Sequence, residues 1–228
     1  MHVGDDFDRA KQIINLALNA HACISYSQFG EDLLVDVLFY GRATPGFYVD
    51  VGAHHPQRFS NTHLLHHRGW RGINIEGDPN LVQAFIEARP KDINITAFVS
   101  DKIENVTFNR FNETAVNTIS LEKTEDYSAQ WNVVSSEQIT TRTLQDILKE
   151  HLPVGQDIDL LSVDVEGVDL KVLQGNDWNH YRPHHVIVEV EGLDLMNAIA
   201  HPVVAFMAEQ GYRLSGFIHV SAFFSRVR

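Results

Sequence analysis

What most constrains the fold of this chain is a rhythm of five short, mostly apolar runs, "GFYVDVGA", "GINIEGD", "INITAFVS", "DIDLLSVDV" and "HHVIVEVEG". Runs of this length with little polar alternation suit strands covered on both faces, and strands alternating with helices give a mostly parallel, doubly wound α/β sheet. The intervening helical patterns are explicit. In "GDPNLVQAFIEARP", Asp78 is a natural N-cap, Pro79 takes the first helical position, and Val82, Phe85 and Ala88 face inward. "TRTLQDILKEHLP" starts from Thr143 with Asp146 three residues on, close to a capping box, and Pro153 closes it. Upstream, "SQFGEDLLVDVLFYG" sets Phe29, Leu33, Leu34, Val37 and Leu38 on one stripe and ends at Gly41.

Other segments depart from this rhythm. "ENVTFNRF" and "NVVSSEQITT" read as extra strands flanking a looser polar stretch at 112–130, so a polar insertion near 104–140 is expected as a candidate substrate lid. "GYRLSGFIHVSAFFSRVR" reads as a C-terminal antiparallel hairpin on an otherwise parallel sheet. "DDFDRAKQIINLAL" predicts a helix lying against the body. The expected organisation is an N-terminal helical extension over 1–24 and one domain over 25–228, since 228 residues at 44% hydrophobic content support one sizeable core.

Charge narrows the partners. Eighteen Lys plus Arg against 30 Asp plus Glu leave a net charge of −12, which disfavours nucleic-acid backbones and anionic membranes and points to a small or neutral partner. The single cysteine, Cys23, excludes an internal disulfide, and no apolar run is long enough for a membrane span, so a cytoplasmic location is the default expectation.

In an open α/β sheet, ligands bind beyond the carboxyl ends of the strands. Here those ends carry Asp50-Val51-Gly52-Ala53-His54, Glu76, Ser100-Asp101, Asp164-Val165-Glu166 and Glu189-Val190-Glu191. The first of them, "FYVDVGAHHP", opens like a nucleotide-binding loop, then replaces the later glycines with Ala53, His54, His55 and Pro56. A worn loop, a metal site and the loop of a different cofactor are three readings of it. Glu76 follows Asp50 at about the separation at which an acid on the second strand reaches ribose hydroxyls. Absent glycines matter where a backbone must approach a pyrophosphate, and S-adenosylmethionine has none, so acidic strand ends with one glycine fit it better than NAD.

Taken together, "SQFGEDLLV", "FYVDVGAHHP", "SNTHLLHHRGWRGINIEGDP", "ITTRTLQDIL", "IDLLSVDVEGVDLKVLQGNDW" and "YRPHHVIVEVEG" resemble the FkbM family of S-adenosylmethionine-dependent methyltransferases over roughly residues 25–192. The resemblance implies a Rossmann-like class I methyltransferase fold, a seven-stranded sheet with an antiparallel last strand. It also implies O-methylation of a hydroxyl, usually on a sugar or polyketide-like acceptor. Carried over by position, Asp50, Gly52 and Ala53 would line the methionine side, Glu76 would hold the ribose, and Ser100 with Asp101 would flank the adenine. Gln28, Glu31 and Asn61 resemble the family's polar residues near the methionine moiety. Many members have Asn-Gly after "VGA", where this chain has His54-His55-Pro56.

Methyl transfer is an in-line displacement, so catalysis rests on positioning and on removing the acceptor's proton. The candidates are a histidine of the 54–55 pair, Asp164 and Glu166 as catalytic groups, with Asp164 also near the cofactor. Asp164, Glu189 and Glu191 are candidate ligands of Mg2+ or Mn2+. The duller readings are that Glu166-Gly167 merely turns the strand into a helix and that His63, His66 and His67 form a solvated helix face rather than a zinc site. Trp70 and Trp178 are expected in the core, and Trp131 as a platform for an acceptor sugar. The expected function is an O-methyltransferase for a carbohydrate acceptor, with a place as one domain of a larger glycan-assembly enzyme as a further expectation. The alternatives are an inactive S-adenosylmethionine-binding module of the same fold and a histidine-rich metallohydrolase, for which no ligand motif is visible.

Overall fold

The computed structural model describes residues 11–16 and 23–227. Seven strands form the main sheet: β1 (Phe47–Val51), β2 (Arg71–Glu76), β3 (Ile93–Thr96), β7 (Leu160–Val163), β8 (His185–Glu189), β9 (Tyr212–Ile218) and β10 (Ser221–Arg226). Their order is β3-β2-β1-β7-β8-β10-β9, with β10 antiparallel to both of its neighbours and the strands from β3 to β8 parallel. This is the expected seven-stranded α/β sheet with its C-terminal hairpin. The order reverses between β1 and β7, which is where such sheets open a ligand crevice.

Helices cover both faces. Val49 and Val51 of β1 join a large core with α5 (Leu144–His151), α6 (Asp169–Gln174) and α7 (Pro202–Glu209), contributing Leu144, Ile147, Val172, Leu173 and Met207. Tyr48 faces the other way, into a smaller core with Val35 of α1 (Glu31–Leu38) and Leu65 of α2 (His63–His67). The helix α3 (Pro79–Ala88) starts as its sequence predicts, with the Asp78 carboxylate accepting from the Asn80 N–H. The Thr143 hydroxyl caps α5 by accepting from the Asp146 N–H.

The structure corrects three expectations in detail. The run 93–100 is not one strand. It leaves the main sheet at Ala97, and β4 (Phe98–Ser100) pairs instead with β6 (Val133–Thr143), which also pairs with β5 (Asn105–Phe111). The predicted insertion is therefore a small three-stranded sheet, with α4 (Leu121–Tyr127) between β5 and β6. The stripe on α1 is also out of phase: Glu31, Asp32 and Val35 are buried, whereas Val37 and Phe29 are exposed. The acids are tolerated there because Asp32 accepts from the Ser25 and Ser27 hydroxyls and the Tyr26 N–H, and Glu31 from the Phe29 N–H and the Ser221 hydroxyl. Of the predicted N-terminal helix only 11–16 fall within the described residues; these are helical, with Ile13, Ile14 and Leu16 exposed rather than packed against the body. Among the described residues no helix is long and apolar enough to cross a membrane.

Candidate active site

Strand register assembles the site. Val51 is level with Ile75 and Val163, and Val163 with Val188, so Gly52, Glu76, Asp164 and Glu189 leave the sheet side by side. A crevice opens over Gly52, Glu76 and Asp164, with roughly 820 Å³ of free space including its open mouth. Gly52 is required where it stands. Its φ is +76°, and a Cβ would lie 1.8 Å from the backbone oxygen of Asp164, so the loops after β1 and β7 approach as closely as they do only because this residue is glycine.

The loop after Gly52 folds back over the crevice. His54 (φ 52°) and Phe59 (φ 58°) both hold left-handed backbone, and both side chains line the cavity. The His54 N–H donates to Glu76 Oε2 at 2.9 Å, while Glu76 Oε1 accepts from the Asp78 N–H at 2.8 Å. Each carboxylate oxygen keeps a lone pair for a ligand hydroxyl. Burial raises the Glu76 pKa, and the two N–H donors work against that rise. Burial, then the nearby Arg58 charge, lowers the His54 pKa to about 4, so the ring is neutral at pH 7; its Nε2 lies 3.0 Å from Thr114 Oγ1. His55 turns away from the cavity, its Nδ1 accepting from the Gln57 and Arg58 N–H groups.

The far wall is apolar and comes largely from the insertion. Ala97, Phe98 and Val99 line it where the chain leaves the main sheet, together with Phe108 of β5 and Ile119. Phe98 and Phe108 pack with ring centroids 4.6 Å apart, and a Cβ on Gly77 would strike the Phe98 ring at 2.3 Å. These side chains give this end of the cavity an apolar, aromatic lining.

At the other end lies an acidic cluster. Carboxylate oxygens of Asp164, Asp169 and Glu189 all lie within 4.8 Å of one another, and among the described residues they are the one acid, histidine or cysteine group with metal-holding spacing. The carboxylate of Asp164 is accessible to the open crevice. Even so, the protein atoms packed around it, and then the charges of Glu189, Glu166 and Asp169, push its pKa well above the usual aspartate value. Burial, followed by neighbouring carboxylates, raises Glu189 to about 8. Burial also raises Asp169 to about 6 against backbone donors from Val165 and Gly167. Glu166, at φ 54°, is raised to about 7 by burial while accepting a hydrogen bond from the Tyr127 hydroxyl. Glu191 pairs instead with Lys123 of α4, and Asp169 takes the place in the cluster that the sequence reading gave to Glu191.

The structure thus brings Gln28, Gly52, His54, Glu76, Asp164 and Glu166 to one cavity. It places the other sequence candidates elsewhere. Asp50 is buried on the Tyr48 face of β1, accepting from the Thr62 hydroxyl at 2.6 Å. Asn61 donates to Ser162 Oγ at 3.3 Å, Ala53 is buried, and Glu31 supports α1. Ser100 donates to Asp101 at 3.0 Å beneath the close approach of Gly175, away from the crevice. His63 stacks edge-on against Tyr26 and His67, an aromatic cluster rather than a ligand set. Trp70 and Trp178 are core residues as expected, and Trp131 does not line the cavity.

The family model described as "Methyltransferase FkbM domain" matches residues 50–214, well over half of the chain. The chain belongs to the FkbM methyltransferase family. It is accordingly a methyltransferase of the S-adenosylmethionine-dependent kind, and the FkbM match spans every strand from β2 to β8 together with the insertion. No curated protein sequence matches it. Among solved structures it is similar to a TehB-like SAM-dependent methyltransferase from Corynebacterium glutamicum, at 12% identity and a TM-score of 0.42, over 99% of this chain and 100% of that one. At that score the likeness is too loose to carry weight, and the fold of this FkbM domain stands on its own strand order.

Proposed function

We propose that the crevice holds S-adenosylmethionine and that the domain spanning 25–228 transfers its methyl group to a hydroxyl of a carbohydrate acceptor. The observation that carries this reading is Glu76. Two backbone donors aim its carboxylate into a cavity whose other end is an apolar aromatic slot, which suits a ribose diol joined to a purine. Gly52 and Gln28 then lie toward the methionine end, and the acidic cluster favours the sulfonium charge. A polar, carboxylate-lined mouth favours a hydroxyl-rich acceptor.

In the transfer, the acceptor oxygen attacks the methyl carbon, the carbon–sulfur bond breaks, and S-adenosylhomocysteine leaves. The acceptor's proton passes to a carboxylate, for which Glu166 is the best placed, since a base near pH 7 combines availability with driving force. Neutral His54 steadies the cofactor side through Thr114. The all-oxygen set of Asp164, Asp169 and Glu189 suits Mg2+ or Mn2+, and such an ion would lower the pKa of the acceptor hydroxyl. The test is transfer of labelled methyl from S-adenosylmethionine to a panel of glycans, with and without chelator. Labelled product, lost in Glu166→Gln, supports the reading. Cofactor binding with no transfer across any hydroxyl acceptor favours a binding module, and full activity after chelation removes the metal.

A further inference from the structure

Arg89, at the end of α3, is 1% exposed, yet among the described residues its side chain hydrogen-bonds to no carboxylate. A buried guanidinium is costly unless its donors are used, and here the fork spans two structures. Its Nη1 donates to the Tyr48 hydroxyl, Thr62 Oγ1 and Asn74 Oδ1 at 3.1, 2.9 and 3.2 Å. Its Nη2 donates to the Pro56 carbonyl and, at 3.1 Å, to Ser60 Oγ. The charge is balanced one hydroxyl away on either side, because Thr62 donates to Asp50 and Tyr48 to Asp92.

One loop contact, Pro56, falls between the two residues that the loop sends into the cavity, and the other, Ser60, directly follows the second of them. Those two residues, His54 and Phe59, both sit in left-handed backbone that non-glycine residues hold only when the surroundings enforce it. The Pro56 carbonyl also accepts from His63 Nδ1 at 2.8 Å, so two side chains secure the loop at that point. We infer that Arg89 is a positioning residue: from behind β1 it fastens the loop 54–60 in the strained conformation that presents His54 and Phe59 to the cofactor, without touching the cofactor itself. Asp50, placed by the sequence reading on the methionine side, belongs on this account to the counter-charge of that clamp.

This inference rests on the cofactor reading of the crevice, and its test separates the two. Calorimetric titration of the full chain with S-adenosylhomocysteine, combined with KM and kcat for methyl transfer, is carried out on the unaltered protein, on Arg89→Lys, which keeps the charge but loses the fork, and on Ser60→Ala. Expected is a roughly tenfold weaker Kd and higher KM for cofactor in Arg89→Lys, a smaller shift in the same direction in Ser60→Ala, and kcat at saturating cofactor within about threefold in both. A merely structural residue would lower the folded fraction and leave the Kd of the folded protein unchanged. If either variant folds and binds cofactor as the unaltered chain does, the clamp is overturned. If Arg89→Lys does not fold, Ser60→Ala decides by the same criterion. No binding by the unaltered chain overturns the cofactor reading and this inference with it.

Discussion

Replacing Glu76 with Gln tests the ribose assignment with a change of two atoms' chemistry and no change of shape. In the native site, the two oxygens accept from the His54 and Asp78 N–H groups at 2.9 and 2.8 Å. An amide offers one oxygen, so one of these N–H groups must face an NH2, and one charge-assisted hydrogen bond of about 1.5–3 kcal/mol is lost from the fold. At about 2–4 °C per kcal/mol for a chain of this size, the melting temperature should drop by roughly 3–12 °C. The same substitution takes an acceptor from the ligand's diol, and a second loss of that size weakens cofactor binding about 10- to 100-fold. Differential scanning fluorimetry reads the first effect and isothermal calorimetry with S-adenosylhomocysteine the second. A folded Glu76→Gln protein that binds within about twofold of the unaltered chain would refute the reasoning, because Glu76 would then hold only the loop.

Three further outcomes follow from the acidic end and the strand crossing. Glu189, Glu166 and Asp169 have folded pKa values of about 8, 7 and 6 against ordinary values of 4.5, 4.5 and 3.8, so the folded chain holds more protons than the unfolded one between those limits. Stability must therefore fall as pH rises from about 5 to 8, and Glu189→Gln should melt higher than the unaltered chain at pH 8 and flatten that slope; an unchanged slope counts against the cluster. The Tyr127 hydroxyl holds the Glu166 pKa down, so Tyr127→Phe should move the acidic limb of the kcat–pH profile to higher pH if Glu166 is the base, and a static limb would remove it from that role. Gly52→Ala forces a Cβ to 1.8 Å from the Asp164 oxygen at φ +76° and should lower the melting temperature by roughly 5–10 °C or prevent folding, whereas a variant as stable as the original would contradict the close crossing.

The fold was legible because its determinants are local. Five apolar runs, their caps at Asp78 and Thr143, and the C-terminal hairpin each carry their own signal, and together they impose the sheet. The site was legible where strand ends name it, as at Gly52, Glu76, Asp164 and Glu189. It was not legible where contacts are long-range. Phe98 reaches the cavity only because the chain leaves the main sheet at Ala97 to pair with β6, and Phe108 only because β5 folds against that same strand. Asp169 lies in the first turn of α6 rather than at a strand end, and no sequence spacing marks it out, whereas Glu191, which does follow a strand, is drawn away by a lysine of the insertion. Asp50 had the right position in the motif, but a residue's place on a strand fixes its face, and Asp50 shares the face of Tyr48 rather than that of Val51.

The central claim is that S-adenosylmethionine occupies the crevice at the β1–β7 switch point, and hydrogen–deuterium exchange with and without S-adenosylhomocysteine tests it most directly. The account predicts added protection in the amides of 51–60, 76–78 and 114–119, the segments that wall the cavity, and none in the groove at the opposite end of the sheet around Gly46, Gln156 and His184. Protection confined to that opposite groove, or none at 51–60 at saturating ligand, would contradict it.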